Sequence, residues 1–282
     1  RRARRGCREG CGVRRPGGGA SAAGLALVED RPALDGAVQK QPLCPGFRRF
    51  VAEVEAIYAQ HTGFETVAEE RALYGVYSAR FLRPRPAGLT VRDAAWPVAG
   101  GRKVPVRIYR PEARGDAGRL RPCVVFMHGG GWVLGSIDTH DCIAAEIAAA
   151  TEAVVVSVDY RLAPEHAFPA AFEDCRDVVR LVAAGASPLA IDPRRVVVAG
   201  DSAGGNLSAA VAIALRCEAD VRLAGQVLIY PVLGDGFEMP SHAENATAPM
   251  LKTAEMRRFW RTYLGGSDTT DSAFAAPLLA AD

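Results

Sequence analysis

The sequence predicts an α/β fold in which a mostly parallel β-sheet is covered by helices on both faces. Strand-length runs that are uniformly apolar and rich in β-branched residues recur along the chain, including CVVFMH (123–128) and RVVVAG (195–200). Helix-length segments separate these runs, including AFEDCRDVVRLVAA (171–184) and NLSAAVAIALRC (206–217). Strands that are apolar on both faces require helices on both sides, and alternating strands and helices are typical of a parallel sheet.

The part of the chain before this alternation is predicted to be mainly helical. Residues 1–30 are arginine-rich and contain no long apolar segment, so we expect them to be disordered. From about Pro45, apolar residues recur at helical spacing, and a second helical run covers residues 67–82 before the breakers in RPRPAG. Residues 31–90 are therefore assigned to an N-terminal helical segment.

The predicted core spans residues 91–282. Alternating apolar residues in KVPVRIYRP (103–111) predict a strand, and two further strands are predicted within TEAVVVSVDY (151–160) and AGQVLIYPV (224–232). Polar and proline-bearing sequence at about 234–265 then interrupts the alternation and ends in a helix-like run, LKTAEMRRFWRTYL. This stretch is predicted to be an insert in the core.

Composition and charge exclude several classes of protein. The chain is 49% hydrophobic and 23% charged with a net charge of +2, which is typical of a soluble globular protein with no nucleic-acid partner. Its seven scattered cysteines indicate free thiols in a reducing compartment rather than a disulfide scaffold or a zinc site. The sequence contains no run of about eighteen apolar residues, so no transmembrane helix is predicted. We therefore expect a cytoplasmic protein.

Ser202 is the candidate nucleophile. It lies at the centre of GDSAG (200–204), a Gly-X-Ser-X-Gly pattern between a predicted strand and a predicted helix. A nucleophilic serine in this context needs a sharp turn that lifts its hydroxyl out of the sheet, and the small residues Gly200, Ala203 and Gly204 leave room for that turn. The alternative is a structural glycine-serine turn. The strand before the serine and the helix after it favour the nucleophile.

The glycine-rich stretch HGGGW (128–132) follows an apolar strand and is the candidate oxyanion loop. Acyl transfer develops negative charge on a carbonyl oxygen, and backbone N–H groups must already point at that oxygen. Consecutive glycines let the backbone approach a ligand closely. The alternatives are a flexible loop or a phosphate cradle, and the glycine patterns of phosphate cradles are absent from the sequence. Gly129, Gly130 and Gly131 are therefore predicted to form one half of an oxyanion hole, with the N–H of Ala203 as the other half.

Taken together, HGGGW and GDSAGG resemble the hormone-sensitive-lipase-like branch of the α/β-hydrolases, a group of bacterial esterases and lipases. The resemblance covers about residues 95–282 and, more loosely, the helices at 45–85. It implies an α/β-hydrolase fold with a helical cap formed by about residues 31–90 and 234–265. The further matching stretches are VDYRLAPEHAFPAAFED (158–174), IDPRRVVVAGDSAGGNLSAA (191–210), QVLIYPVL (226–233) and APLLAAD (276–282).

The resemblance also implies the roles of the motif residues. Ser202 matches the nucleophile of a carboxylic-ester hydrolase that works through an acyl-enzyme, and Gly130 and Gly131 are the favoured oxyanion donors of the loop. His128 is expected to brace this loop. Asp201 is expected to fix the turn by hydrogen bonds and not to act as the triad acid. The implied partner is a small-molecule ester, with no metal and no organic cofactor, and a homo-oligomer is compatible with the family.

The sequence does not identify the base that accepts the proton of Ser202. Such a base is a histidine oriented by a carboxylate, and in α/β-hydrolases the chain order is Ser, Asp or Glu, His. Only His242 follows Ser202, and no acid stands at a matching place. We expect a surface or capping role for His140 and a loop-anchoring role for His166, while His128 and His242 stay open as alternative bases. The five histidines are His61, His128, His140, His166 and His242.

The family's acid and histidine stretches would follow APLLAAD, so we expect the chain to be a fragment that lacks its last strands and these two residues. A second function class also remains open. A receptor-like member of the same fold would use the pocket to bind a ligand without turning it over.

Overall fold

The computed structural model describes residues 44–60, 63–112, 120–185, 189–234 and 236–281. The residues from Pro45 onward form one compact unit. The segment 1–30, which is expected to be disordered, lies outside the described residues, so that expectation stays a prediction.

A six-stranded mixed sheet forms the centre of this unit, in the order β1-β2-β4-β3-β5-β6. β4, β3, β5 and β6 run parallel to one another, whereas β1 and β2 are each antiparallel to their neighbours. The mostly parallel α/β sheet is therefore confirmed. The strand bounds are β1 Leu89–Pro97, β2 Lys103–Pro111, β3 Arg121–Met127, β4 Val154–Val158, β5 Ile191–Asp201 and β6 Gly225–Ile229.

The strand β1 is not among those that the sequence predicts. Its sequence, LTVRDAAWP, contains two charged residues and only one residue that is buried, Trp96. A strand at the edge of a sheet lacks the continuous apolar pattern of a central strand. The residue pattern of β1 therefore does not predict a strand.

The helix α3 covers one face of the sheet and α4 and α5 cover the other, and α1, α2, α4, α5 and α7 correspond to predicted helical runs. The helix α2 begins with a capping box, in which the N–H of Glu69 donates to Thr66 Oγ1 at 3.2 Å and Glu69 Oε2 accepts from the N–H of Thr66 at 3.1 Å. The helix bounds are α1 Pro45–Tyr58, α2 Val67–Phe81, α3 Asp141–Thr151, α4 Ala170–Ala183, α5 Ala203–Leu215, α6 Pro240–Glu244 and α7 Thr253–Tyr263, with short 3₁₀ turns at Ala99–Gly101 and Pro277–Leu279.

The buried strand β4 shows why its sequence, VVVSV, is apolar at four of its five positions. Val154, Val156 and Val158 belong to a hydrophobic cluster that includes residues of α4 and α5. Val155 points to the opposite face and belongs to a second cluster with alanines of α3. Because successive side chains of a strand point to opposite faces, covering both faces favours apolar residues at nearly every position, and the exception, Ser157, is also buried.

The edge strand β6 differs from β4. The prediction from the apolar run AGQVLIYPV was a strand buried on both faces, but Val227 is 52% exposed and Ile229 is 37% exposed. β6 has a strand neighbour on one side only within the described residues. It therefore presents apolar side chains and an unpaired backbone edge at the surface.

An ion pair joins the helices α2 and α7. Glu70 of α2 accepts two hydrogen bonds from the guanidinium of Arg258 on α7, at 2.5 and 3.0 Å. Glu70 is buried, and the same guanidinium lies 4.4 Å from the ring centroid of Phe259. A buried carboxylate needs such a bidentate partner to offset its loss of hydration.

We expect Glu70→Gln to lower the free energy of unfolding by about 1–3 kcal/mol, because the guanidinium then faces a buried neutral amide. The matched control is Glu53→Gln, which removes the exposed pair of Glu53 with Arg80 at 3.7 Å. That variant should change stability by less than about 0.5 kcal/mol. Urea unfolding of both variants measures the difference, and equal losses would show that the buried pair contributes no more than a surface pair.

Candidate active site

Ser202 occupies the turn between β5 and α5. Its backbone has φ 51° and ψ −115°, a conformation that costs energy for any residue other than glycine and is often found at functional sites. The turn is held on both sides, since the N–H of Ser202 donates to Ile229 O at 2.9 Å and its carbonyl oxygen accepts from the N–H of Asn206 at 3.0 Å. The side chain is partly exposed, and its Oγ has no hydrogen-bond partner among the described residues.

The glycines around Ser202 are required by close backbone packing. A Cβ atom at Gly204 would overlap the carbonyl oxygen of Met127 and lie 2.7 Å from that of His128. A Cβ atom at Gly200 would lie 2.5 Å from Gly204 O. The start of α5 thus rests directly on the end of β3, and only glycine permits this approach.

The loop that follows β3 contains HGGGW and turns tightly after Gly129. Gly130 and Gly131 have φ values of 120° and 59°, a region that favours glycine. The N–H of Leu134 closes the turn by donating to Gly130 O at 2.7 Å. On its outer side the loop meets α7, because a Cβ atom at Gly131 would lie 2.6 Å from the ring of Phe259.

The N–H groups near Ser202 divide into one that is engaged and three that are not. The N–H of Gly129 donates to Asp201 Oδ1 at 3.0 Å. Of the three loop glycines, Gly129 therefore has its N–H held by a carboxylate from the end of β5, whereas Gly130 and Gly131 are the donors that the sequence favours. The N–H groups of Gly130, Gly131 and Ala203 donate to no acceptor within the described part of the chain. These three are the candidate oxyanion donors.

His128 is buried below the loop, in a position suited to bracing it. Its Nδ1 lies 2.8 Å from Gly129 O, and its carbonyl oxygen accepts from the hydroxyl of Tyr160 at 2.7 Å. The rings of His128 and Tyr160 stack with centroids 4.3 Å apart. Burial, with a smaller contribution from neighbouring His140, lowers the pKa of His128 to about 3. None of its recorded contacts reaches Ser202.

His140 is buried, so the expected surface or capping role is wrong. It immediately precedes α3, makes no capping hydrogen bond with its side chain and is 5% exposed. Its Nε2 lies 3.4 Å from Asp201 Oδ2, and its Nδ1 lies 2.9 Å from Thr139 Oγ1. The parallel pairing of β3 with β5 brings the loop after β3, and with it the start of α3, against the end of β5.

The carboxylate of Asp201 contacts the glycine loop through the N–H of Gly129, and it also contacts His140. Burial raises its pKa, but the opposing interactions with His140, with His128 and with the N–H of Gly129 together hold the pKa below its usual value. Asp201 is thus ionised and joins the turn to the glycine loop, in line with its expected role of fixing the turn.

The remaining described histidines, His166 and His242, make contacts away from Ser202. The backbone N–H of His166 donates to Leu162 O, and the ring of His242 in α6 lies beside Phe237, with centroids 5.1 Å apart. His61 lies outside the described residues. No histidine of the described residues contacts Ser202 Oγ.

Two residues that the sequence did not single out also shape the site. Asn206 is buried on α5, and its Nδ2 donates to Val232 O at 2.7 Å and to Ala275 O at 2.8 Å. Phe259 covers the outer side of the glycine loop. Asn206 could have been flagged, since a buried amide one turn after a serine nucleophile needs backbone partners. The position of Phe259 depends on how α7 packs against the loop, and no pattern in the neighbouring sequence reveals it.

Three further expectations concern features outside the motifs. Within the described ranges there is no group of three or more His, Cys, Asp or Glu side chains that could hold a metal ion. No helix among these residues has the length and apolar character needed to cross a membrane. The five cysteines that the structure describes are free; Cys123 and Cys175 are buried, whereas Cys44 and Cys217 are exposed.

The lowered pKa of His128 predicts a loss of stability in mild acid. In the unfolded chain, His128 takes up a proton near pH 6.5, whereas in the folded protein it does so only at about pH 3. The stability that depends on neutral His128 is therefore complete above pH 6.5 and should fall below it, by up to about 1.4 kcal/mol per pH unit. Urea unfolding between pH 7 and pH 5 measures this slope.

The control for this prediction is His128→Gln, which keeps a polar side chain but cannot titrate in this range. Its free energy of unfolding should depend less steeply on pH between 7 and 5, whatever its absolute stability. Equal slopes in the two proteins would show that His128 does not stay neutral in the folded state.

Known proteins resemble the chain in sequence and in structure. It is 44% identical over 177 residues to Carboxylesterase NlhH of Mycobacterium tuberculosis, covering 63% of this chain and 54% of that protein. It is 35% identical over 193 residues to an ethyl acetate hydrolase of Pseudomonas putida, covering 68% and 58%. The chain thus spans about half the length of the curated relatives it matches. A solved hyperthermophilic esterase from the archaeon Pyrobaculum calidifontis is 37% identical, with a TM-score of 0.77 over 86% of this chain and 76% of that one.

A family model described as the alpha/beta hydrolase fold matches residues 124–282, which is more than half of the chain. The matched region contains both the glycine loop after β3 and the turn between β5 and α5. The fold and both motifs agree with this match, and the chain therefore belongs to the alpha/beta hydrolase fold family.

Proposed function

We propose that this protein is a carboxylic-ester hydrolase in which Ser202 attacks the ester carbonyl carbon. The observation that carries the proposal is the hydrogen bond from the N–H of Gly129 to Asp201, the residue next to Ser202. This bond ties the glycine loop to the residue before Ser202, whose hydroxyl has no partner among the described residues, and so supports a shared site. Similarity to proteins named carboxylesterase and ethyl acetate hydrolase supports the same reaction.

In the proposed reaction, Ser202 Oγ bonds to the carbonyl carbon while its proton passes to a base. The negative charge that develops on the carbonyl oxygen is held by the N–H groups of Gly130, Gly131 and Ala203. The bond to the alcohol oxygen then breaks, the alcohol leaves with a proton, and Ser202 carries the acyl group. Attack by water releases the carboxylic acid and restores the serine. No metal or organic cofactor takes part in these steps.

The proposal assigns the base to none of the described histidines, because none contacts Ser202. We therefore expect acylation of Ser202 to be slow when no base is added and to be accelerated by an added base. Small neutral imidazole can take the proton that a triad histidine would take.

Covalent labelling of Ser202 by a fluorophosphonate tests the proposal. We expect a stoichiometric mass increase on the peptide that contains Ser202, at a rate that rises in proportion to the concentration of neutral imidazole. Hydrolysis of 4-nitrophenyl acetate should show the same dependence after subtraction of the direct reaction of imidazole. A protein that is folded but takes up no label, with or without imidazole, would contradict the hydrolase assignment.

A ligand-binding function is the second candidate, and the observation that favours it is that none of the described histidines contacts Ser202. A binding protein would hold an ester or carboxylate ligand reversibly, with saturable affinity and no covalent adduct. Isothermal titration with the product carboxylate, run beside the labelling experiment, separates the two functions.

The cap is proposed to border the substrate site. Arg71 of α2 donates to Val133 O at 2.7 Å, and Phe259 of α7 lies against Gly131, so both cap helices contact the glycine loop. A small-molecule ester is the proposed substrate. Cytoplasmic location and homo-oligomer formation stay predictions that no contact in the structure addresses.

A further inference from the structure

A single carboxylate links the glycine loop to the turn that carries Ser202. Asp201 immediately precedes the serine, its side chain is 14% exposed, and its Oδ1 holds the N–H of Gly129. A Cβ atom at Gly129 would overlap Asp201 Oδ2, so the carboxylate lies in direct contact with the loop backbone. Any rotation of this carboxylate would release the N–H of Gly129 and shift the next two N–H groups of the loop.

The second oxygen of the carboxylate faces His140. The distance from His140 Nε2 to Asp201 Oδ2 is 3.4 Å, and both side chains are largely buried. On the other side of the ring, His140 Nδ1 contacts Thr139 Oγ1, which also donates to Ser136 O at 2.9 Å. The imidazole is thus anchored at one nitrogen and directs the other at Asp201.

His140 lies outside both motifs and reaches the site through the tertiary fold. It comes from the start of α3, whereas Asp201 comes from the end of β5. We propose that His140 is a positioning residue for the oxyanion site, because its contact with Asp201 keeps the carboxylate in the orientation that engages Gly129. A buried carboxylate oxygen without a polar partner is unfavourable, so the carboxylate would rotate towards another donor. The contact with His140 prevents this rotation.

The catalytic consequence of this proposal depends on the proposed function, but the structural consequence does not. His140→Leu removes the polar contact while keeping a side chain of similar bulk. His140→Gln keeps an N–H donor that can reach Asp201. Packing alone predicts similar behaviour for the two variants, whereas positioning of the carboxylate predicts that only His140→Leu disturbs the loop.

Amide hydrogen exchange of the peptide that covers residues 128–133 gives the first measurement. We expect exchange of this peptide to be about 10-fold faster in His140→Leu and near wild type in His140→Gln. The strand β4 serves as an internal reference, since its exchange reports global opening. Faster exchange in β4 to the same extent, or unchanged exchange of the loop in His140→Leu, would overturn the proposal.

Fluorophosphonate labelling in the presence of imidazole gives the second measurement. Loss of one oxyanion donor costs about 10²–10³ in rate, so displacement of the loop in His140→Leu should slow maximal labelling by about 10-fold or more. The concentration of reagent that gives half-maximal labelling should stay unchanged, because His140 does not contact the ligand. His140→Gln should label within about 3-fold of wild type. Equal losses in both variants would indicate packing instead of positioning.

A double-mutant cycle with Asp201→Asn identifies the route of the effect. If His140 acts through Asp201, adding His140→Leu to Asp201→Asn should change loop exchange less than it does in the wild-type background. Additive effects would show that His140 acts elsewhere. A wild-type protein that takes up no label would overturn the proposed function, while the exchange measurements would still decide the role of His140.

Discussion

Replacement of Ser202 by alanine is expected to abolish covalent labelling by a fluorophosphonate and all ester hydrolysis that depends on the protein. The variant lacks the one protein atom that bonds to the carbonyl carbon in the proposed reaction. In a serine hydrolase with a complete triad, removal of the serine lowers kcat by about 10⁶. With imidazole as the base the wild-type rate is lower, so loss of the labelled peptide in mass spectrometry is the more direct measurement.

Ser208→Ala is the matched control for this experiment. Ser208 lies on the same helix, is fully buried and donates its hydroxyl proton to Gly204 O at 2.8 Å. It is out of reach of the reagent, so the variant should label at close to the wild-type rate. Labelling of Ser202→Ala to the same extent as wild type, or loss of labelling in a folded Ser208→Ala protein, would refute the assignment of the nucleophile.

Gly204→Ala is expected to prevent folding or to lower the free energy of unfolding by about 3 kcal/mol or more. The added methyl group would overlap the carbonyl oxygen of Met127 and lie 2.7 Å from that of His128. Both atoms belong to the backbone at the end of β3, so no side-chain rotation relieves the overlap. The whole of α5 would have to move away from the sheet, together with Ser202.

Gly75→Ala separates this effect from the general effect of replacing a helical glycine. Gly75 lies in the middle of α2, and a Cβ atom there would meet no heavy atom within 4 Å. This variant should be more stable than wild type by roughly 0.5–1 kcal/mol, because alanine is the better helix former. Urea unfolding of both proteins gives the comparison. A Gly204→Ala protein with wild-type stability would show that α5 does not rest on β3 as described.

Expectations that depend on local sequence agree well with the structure. Four of the five residues of VVVSV in β4 are valines because both faces of the strand are covered, and this can be recognised from composition alone. The glycines of GDSAG and HGGGW mark positions where a side chain would overlap the backbone of a neighbouring element. Burial of both strand faces and close backbone packing each constrain residues that are adjacent in sequence. The fold class and the place of Ser202 therefore follow from the sequence.

Expectations about contacts between distant residues agree less well. The engagement of the Gly129 N–H by Asp201 joins residues 72 positions apart, and the burial of His140 depends on the same pairing of β3 with β5. The exposure of β6 depends on which strands flank it. The antiparallel edge strand β1 likewise carries too few buried residues to be recognised.

The sequence by itself therefore determined the mostly parallel α/β sheet and the places of Ser202 and the glycine loop between its elements, since periodicity and glycine placement are local properties of the chain. The tertiary structure decided which N–H groups are engaged, which histidine faces Asp201 and that no described histidine contacts Ser202. The physical reason is that hydrogen bonds across the site form between the ends of neighbouring strands. Their partners are set by strand order and register, which no single segment encodes.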